Sequence, residues 1–201
     1  SFNTGTGAIG TTVKVVIRDS VSGRPFKPKI VRFFWSGPTS TVDIVEGANI
    51  FQGYGVAISP TDRRAVGGAS PANVSTTPPD HFSLNAACLL KTNRPESLNG
   101  RMDHQSMDPD GFTLVVDQVF GADLRVHYLA LGGADITNVK TGEFVTPTVT
   151  GNQDITDVLF QPDYVEFLFT LPGVGSVGPQ TIVEHGGEIF FASERGVFLT
   201  N

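Results

Sequence analysis

The sequence is poor in cysteine, in methionine, in basic residues and in long apolar runs. Its single cysteine, Cys88, excludes an intramolecular disulfide framework, and its place among the small and aliphatic residues 86–90 predicts a packed core thiol. No apolar stretch approaches the roughly 18 residues that a membrane helix requires. Lys and Arg number 14 against 20 acidic residues and are scattered, so neither a nucleic-acid partner nor a membrane partner is expected.

Glycine, proline and phenylalanine are abundant instead. The chain has 23 Gly, 13 Pro and 15 Phe, and 39% of its 201 residues are hydrophobic. A chain of this length and composition suits one large β domain, or one domain plus part of a second, with many turns.

Residues Thr4–Gly10, TGTGAIG, contain the G-x-G-x-x-G spacing of dinucleotide-binding loops. Such a loop needs a strand before it and a helix behind it, because the phosphate lies on the helix N-terminus. Only three residues precede Thr4, and the β-branched run Thr11–Ile17 follows Gly10. The sequence therefore predicts a turn that enters a strand, with no phosphate site and no cofactor.

Short β-branched and aromatic stretches recur between turns rich in Gly, Pro and Asp. This pattern is typical of an all-β, antiparallel β-sandwich, here of a jelly-roll-like kind. The stretch Ala69–Asp80, rich in Ser, Thr and Pro, predicts an exposed loop. The predicted strands are Thr11–Ile17, Ile30–Trp35, Tyr54–Ile58, Arg64–Val66, Phe82–Leu90, Phe112–Val116 and Leu124–Leu131.

An internal repeat relates Phe26–Trp35 to Phe160–Phe169. Both stretches fit F-x-P-x-[apolar]-V-[charge]-F-[apolar]-[aromatic] without a gap. The Pro fixes the direction in which the chain enters the strand, and the alternation of the strand then points Val and Phe to the core. The same alternation predicts that the charged residue, Arg32 or Glu166, faces water.

The second copy of this repeat is partial. A weaker match pairs residues 57–59 with residues 191–193, and the first copy spans about 140 residues, so the sequence covers less than half of the second. We expect a β-sandwich domain at 1–141 and a partial repeat at 142–201. Three arrangements are open: the partial repeat packs on the first domain, it is completed by a neighbouring subunit, or the repeat continues beyond this sequence.

No set of residues forms a catalytic, metal or cofactor site. The four histidines share no metal-ligand spacing, and His127 falls in a predicted alternating strand, where packing is the simpler role. Asp103–Gly111 offers carboxylates without the spacing of a calcium loop, so Asp108 and Asp110 are expected to accept backbone hydrogen bonds in the turn that precedes Phe112. Glu184–Glu188 contains two glycines and predicts a surface turn. An enzyme is the weakest of the classes considered.

Three aromatic residues, Phe33, Phe34 and Trp35, are consecutive. Since adjacent residues of a strand point to opposite faces, one buried face cannot hold all three side chains. Three arrangements remain open: the strand is covered on both faces, Phe34 contacts another subunit, or the rings form a platform for a sugar. We take Phe34, Trp35, Tyr164 and Phe169 as the candidate interaction residues.

Three stretches of the sequence carry a resemblance to a known group of proteins. They are Asp108–Leu114 (DPDGFTL), Val126–Gly133 (VHYLALGG) and Thr150–Asp163, which begins TGNQ and ends FQPD. Together they resemble uncharacterised phage-encoded and prophage-encoded proteins that are built of tandem β-repeats. The similarity covers roughly residues 26–170, and the family has no catalytic residues to carry over.

The resemblance implies a structural role in a virion. We expect a capsid-decorating protein or a component of a fibre or appendage, located in the virion, whose partners are copies of itself and other virion proteins. The alternative is a carbohydrate-binding module that recognises glycans on the host surface, for which the exposed rings would supply the stacking platform.

Overall fold

A computed structural model describes residues 1–36, 50–70, 80–93, 97–169, 180–185, 188–193 and 196–200. This part of the chain contains strands and no helix, and therefore no helix long and apolar enough to cross a membrane. The strands are β1 Phe2–Asn3, β2 Thr12–Val16, β3 Ile30–Trp35, β4 Ile50–Ser59, β5 Asp62–Ser70, β6 Asp80–Leu84, β7 Leu89–Asn93, β8 Ser97–Asp108, β9 Gly111–Gln118, β10 Arg125–Leu131, β11 Val165–Phe169, β12 Gln180–His185, β13 Glu188–Ser193 and β14 Gly196–Thr200.

Two antiparallel sheets pack against each other and confirm the predicted all-β sandwich. The first sheet has the strand order β1-β10-β3-β4-β5-β6, and the second has the order β2-β9-β8-β7. In the first sheet β10 returns from far along the chain to lie beside β3, and the order β10-β3-β4-β5 is that of a Greek key. Jelly rolls are built from such connections. A third sheet, β11-β12-β13-β14, follows in chain order.

The alternation of β3 and β10 shows why these sequences form the central strands of the first sheet. In β3, Val31, Phe33 and Trp35 are buried, whereas Phe34 is exposed. Phe33 meets Phe112 of the second sheet in an edge-to-face contact with a 5.5 Å separation between ring centroids. Alternate residues of each strand therefore build one shared apolar core, whose fully buried large side chains are Phe33, Phe112, Phe120, Leu89, Leu90, Met102, Leu114, Leu124, Val31, Val116 and Val126.

A close approach between β4 and the start of β7 fixes the distance between the sheets. A Cβ atom added to Gly55 would lie 1.8 Å from the carbonyl oxygen of Cys88, so no larger residue fits there without backbone movement. Cys88 is completely buried, and burial raises the pKa of its thiol well above the usual value. The prediction of an inert core thiol is confirmed.

The TGTGAIG segment is a turn, as predicted, and no helix follows Gly10. Gly5 and Gly10 have φ angles of 69° and 86°, in the left-handed region that favours glycine. Asp123 holds this segment: its carboxylate accepts hydrogen bonds from the Gly5 amide at 2.7 Å and from the Asn3 side chain at 2.8 Å. The glycines thus serve to bring β1 beside β10 before the chain enters β2.

The predicted strand Phe82–Leu90 is wrong in one respect, because two strands occupy this stretch. β6 lies in the first sheet and β7 in the second, so the chain crosses between the sheets at residues 85–88. The long strand β8 was not predicted, and it includes Asp103 and His104 of the stretch that was considered as a metal site. Of the predicted loop Ala69–Asp80, residues 71–79 lie outside the described part of the chain.

The two copies of the repeat form strands at equivalent positions. β3 and β11 occupy the matched stretches, and the turns of the hairpins β4–β5 and β13–β14 also correspond, with Ser59 paired to Asp62 and Ser193 paired to Gly196. The copies differ in their pairing, because β3 pairs with β4, whereas β12 lies between β11 and β13. His185 pairs with Glu188, and residues 186–187 between them, where a surface turn was predicted, lie outside the described part of the chain.

Candidate functional site

The outer face of the first sheet, which points away from the sandwich core, carries exposed apolar side chains. Phe34 of β3 lies opposite His127 of β10 on one side and Tyr54 of β4 on the other, so these three side chains share this face. Phe34, Leu129 and Leu131 are all large, apolar and exposed. An apolar face of this kind on a sheet is where a further layer or a partner is normally found.

Five residues form a cluster, here called the outer-face cluster. Arg32, Phe34 and Tyr54 lie on this face, Tyr164 directly precedes β11, and Glu166 lies in β11. The rings of Phe34 and Tyr54 meet edge to face with 4.9 Å between centroids. The guanidinium carbon of Arg32 lies 5.8 Å from the Phe34 centroid and 5.4 Å from the Tyr54 centroid, within the range of a cation–π contact.

The two charges of the outer-face cluster are paired. Arg32 donates hydrogen bonds to the Tyr54 hydroxyl through Nε and to a Glu166 carboxylate oxygen through Nη2. The Tyr164 hydroxyl lies 3.3 Å from the other carboxylate oxygen of Glu166 and donates to it. The side chains of Arg32 and Glu166 are only 19% and 10% exposed. The prediction that these two residues face water is wrong, because each shields the other.

The electrostatics of the outer-face cluster follow from this partial burial. Burial opposes the charge of Arg32, but the hydrogen bond to Tyr54 and the charge of Glu166 hold the pKa of Arg32 above its ordinary value. Burial also raises the pKa of Tyr54 to about 12. The cluster therefore combines an ion pair with two phenol groups whose pKa values are raised by burial.

The four predicted interaction residues are separated by the fold. Phe34 and Tyr164 are exposed and belong to the outer-face cluster. Trp35 points the other way and is buried in the core, where its ring packs on Gly53 so closely that a Cβ atom at that position would lie 2.1 Å from it. Phe169 lies at the end of β11, and its side chain is outside the described part of the chain.

Sequence reasoning missed Arg32, Tyr54 and Glu166 as members of a site. The repeat offered one signal, because Arg32 and Glu166 occupy the same position of the two copies and carry opposite charges. They lie 134 residues apart in the chain. Equivalent positions in two copies of a repeat need not be in contact, so the repeat alone does not predict this pair.

The segment between β10 and β11, residues 132–164, contains no strand and runs along the sandwich before reaching the outer-face cluster. Thr141 donates hydrogen bonds from its amide and its hydroxyl to Asp62 in the β4–β5 turn. Glu143 lies 3.8 Å from the Arg64 guanidinium and accepts a 3.2 Å hydrogen bond from Asn85. The segment is therefore tied to the sandwich at its N-terminal end and again at Glu166.

Between these two ties the segment exposes apolar side chains. Val145 is 86% exposed and Leu159 is 93% exposed, and Val149 and Tyr164 are also exposed. Leu159 has a φ angle of 62°, in the left-handed region that is unfavourable for a residue with a bulky side chain. Among the described residues it is the one non-glycine residue with a positive φ. Long strand-free segments and clustered exposed apolar side chains are both features that in general accompany binding surfaces.

The residues examined as metal ligands are used otherwise. Asp108 accepts hydrogen bonds from the hydroxyls of Ser106 at 2.7 Å and Thr113 at 2.6 Å, and these bonds lower its pKa. Asp108 was predicted to accept backbone hydrogen bonds, and this prediction is wrong about the donors, which are two side-chain hydroxyls. Asp110 pairs with Lys14 at 2.9 Å. Within the described ranges no group of three or more His, Cys, Asp or Glu side chains is placed to hold a metal ion.

Comparison of this chain with protein-family models, with curated proteins and with solved structures yields no match.

Proposed function

We propose that this protein is a structural component of a phage particle, either a capsid-decorating protein or part of a fibre or appendage, which acts through contacts with copies of itself and with other virion proteins. The observation that carries the proposal is the exposure of apolar side chains in two places, along residues 144–164 and on the outer face of the first sheet at Phe34, Leu129 and Leu131. The resemblance of the DPDGFTL, VHYLALGG and TGNQ…FQPD stretches to phage-encoded β-repeat proteins supports the choice of a virion.

The apolar surface is more easily explained by a protein neighbour than by a soluble monomer. Single exposed apolar residues are normal on proteins, but several that follow one another along one segment mark an interaction site. Val145, Val149 and Leu159 lie on a segment that gains no cover from the sandwich. Stable assemblies bury such surfaces in interfaces that often exceed roughly 2,000 Å².

The third sheet supports the same conclusion from its sequence pattern. A single sheet needs a second layer to cover an apolar face. β13 and β14 pair in register, with Phe190 opposite Leu199 and Phe191 opposite Phe198. Consecutive apolar residues in a strand are the pattern of a strand that is covered on both faces. A neighbouring repeat or subunit is the natural source of that cover.

Charged substitutions on the exposed segment test the proposal. The double variant Val145→Asp, Leu159→Asp should weaken self-association and binding to purified particles by at least about tenfold, because each new carboxylate would be desolvated in the interface. Sedimentation velocity measures the first effect, and co-sedimentation with particles that lack this protein measures the second. Val21→Asp is the matched control, since Val21 is 94% exposed on a separate turn.

Two outcomes would contradict the proposal. One is a wild-type chain that stays monomeric at all concentrations and does not bind particles. The other is a double variant that associates as well as Val21→Asp. Circular dichroism and thermal unfolding of each variant exclude misfolding as the cause of any loss.

The carbohydrate-binding alternative depends on the exposed rings of Phe34 and Tyr164 beside the charges of Arg32 and Glu166. Aromatic rings next to polar groups are the usual elements of a sugar site. The variant that tests this alternative is Phe34→Ala, because Trp35 is buried and its substitution would disturb the core. Binding to a glycan array that is lost in Phe34→Ala but kept in Val21→Asp would favour the alternative over a purely structural role.

A further inference from the structure

We propose that the Arg32 site on the outer face binds strand β11 of a second copy of this chain, so that neighbouring subunits exchange their C-terminal segments. In this arrangement Glu166 of one subunit pairs with Arg32 of the next. The inference rests on the proposed assembly function and names the contact that selects the partner.

The contact between Arg32 and Glu166 is specific for the charge of each partner. Arg32 and Glu166 are both mostly buried in their contact, and Tyr54 and Tyr164 satisfy further hydrogen-bonding positions of the pair. A mostly buried ion pair of this kind discriminates strongly, because a like charge in either position leaves two repelling groups without solvent. The site therefore accepts a strand with a carboxylate at this position and rejects one with an arginine.

The internal repeat relates the two partners of this contact. Arg32 and Glu166 are equivalent residues of the two copies, on the equivalent strands β3 and β11. The contact thus joins one repeat to another rather than two parts of one repeat. A repeat–repeat contact can be made by the next repeat of the same chain or by that of a neighbouring chain with the same chemistry.

The segment that precedes β11 is long enough to reach the Arg32 site of a neighbouring subunit. From residue 144 to residue 163, the hydrogen bonds of the described residues stay within the segment, such as that from Gln153 to the Val145 carbonyl at 3.0 Å. When extended, these residues would reach roughly 70 Å, enough to cross to an adjacent subunit. Leu159 holds the segment in a left-handed conformation that is unfavourable for leucine. An exchanged arrangement in which these residues are extended would release Leu159 from this conformation.

Charge reversal in separate chains distinguishes a contact within one chain from a contact between chains. Arg32→Glu leaves a chain with Glu at both positions, and Glu166→Arg leaves a chain with Arg at both. Each variant alone should repel its own partner strand, and its dimer dissociation constant should rise at least about tenfold. In a 1:1 mixture both sites of an exchanged pair are complementary again, so hetero-oligomers should form with nearly wild-type affinity.

Native mass spectrometry and sedimentation velocity of the single variants and their mixture provide the measurement. The chain with both reversals should associate like the wild type. Lys27→Glu and Asp163→Arg, which reverse exposed charges nearby, should have no effect alone or mixed.

The outcomes separate this inference from the proposed function. If the wild type associates but the single variants associate equally well, or if mixing restores nothing, the exchange is overturned while assembly through another surface stands. If the wild type neither self-associates nor binds particles, the proposed function itself fails. Recovery of association only in the mixture and in the doubly reversed chain would support the exchange.

Discussion

At the scale of single residues, His104 is the least satisfied group of the core. It lies in β8 opposite Leu114 and is 2% exposed, and neither of its ring nitrogens has a hydrogen-bond partner within the described structure. Burial lowers its pKa below the usual value, and the nearby Arg63 acts in the same direction, although the carboxylates of Asp103 and Asp108 and the backbone of Ser106 act in the opposite direction. A buried, unpaired imidazole is tolerated only while it is neutral.

This gives the free energy of unfolding a defined pH dependence. As the pH falls below the ordinary histidine value of 6.5, the unfolded chain binds a proton that the folded chain still refuses. Stability should therefore decrease from about pH 6.5 down to the lowered pKa of the folded state, below which this contribution is constant.

His104→Leu should remove this acid sensitivity and should not lower stability at pH 7, because it replaces two unsatisfied nitrogens with apolar atoms of similar volume. Urea unfolding at a series of pH values between 5 and 7.5, chosen roughly around the free histidine pKa, measures the effect. His81→Leu, at an exposed position of β6, is the control. An unchanged pH dependence in His104→Leu would show that another group is responsible.

At the scale of elements, the two sheets are joined by more than apolar contact. Arg63 of β5, in the first sheet, donates two hydrogen bonds to Asp103 of β8, in the second, at 2.6 and 2.7 Å. Both side chains are mostly buried. A two-point contact of this kind fixes the orientation of one sheet on the other, which apolar packing alone does less well.

Asp103→Asn should lower the free energy of unfolding by about 2 kcal/mol, since it weakens two charge-assisted hydrogen bonds and leaves the Arg63 charge poorly paired. The matched control is Asp117→Asn, whose partner Arg101 lies at 3.5 Å on the neighbouring strand of the same sheet. That pair is about one-third exposed, and we expect its loss to cost under about 1 kcal/mol. Equal losses in urea unfolding would contradict a special role for the inter-sheet pair.

The strands with period-two apolar patterns could be predicted from sequence, and β8 could not. β3, β9 and β10 combine β-branched or aromatic residues with clear alternation, and this pattern alone identifies a half-buried strand. β8 buries Gly100, Met102 and His104, none of which is typical of a strand. It forms because β7 and β9 supply its hydrogen-bond partners on both sides, which is a tertiary effect that no local pattern records.

The site shows the same limit. Exposure of Phe34 and burial of Phe33 follow from alternation, but alternation cannot choose which face is the core. It therefore left Trp35 as a candidate for contact, although Trp35 shares the buried face with Phe33. Arg32 and Glu166 were placed on the solvent side because the fold of residues 132–164, which brings them together, depends on long-range contacts such as Thr141 to Asp62.

At the scale of the whole molecule, the sandwich core and the exposed apolar side chains of residues 144–164 belong to different parts of the chain. All members of the sandwich core, from Phe2 to Ala130, precede the end of β10. The exposed Val145, Val149 and Leu159 follow it. The predicted boundary between residues 141 and 142 comes directly after Thr141, whose amide donates a hydrogen bond to Asp62 of the sandwich. Truncation at this boundary therefore tests whether folding can be separated from the proposed association.

A chain of residues 1–141 should fold and unfold cooperatively but should not assemble. It keeps the complete core and the Thr141–Asp62 contact. It loses the Arg32–Glu166 pair and the Glu143 contacts with Arg64 and Asn85, for which we expect a total stability loss of about 1 kcal/mol. Thermal unfolding followed by near-ultraviolet circular dichroism measures the first property, and sedimentation velocity the second. A truncated chain without a cooperative transition would show that the sandwich needs the C-terminal sheet, and one that assembles like the full chain would move the association surface to the sandwich itself.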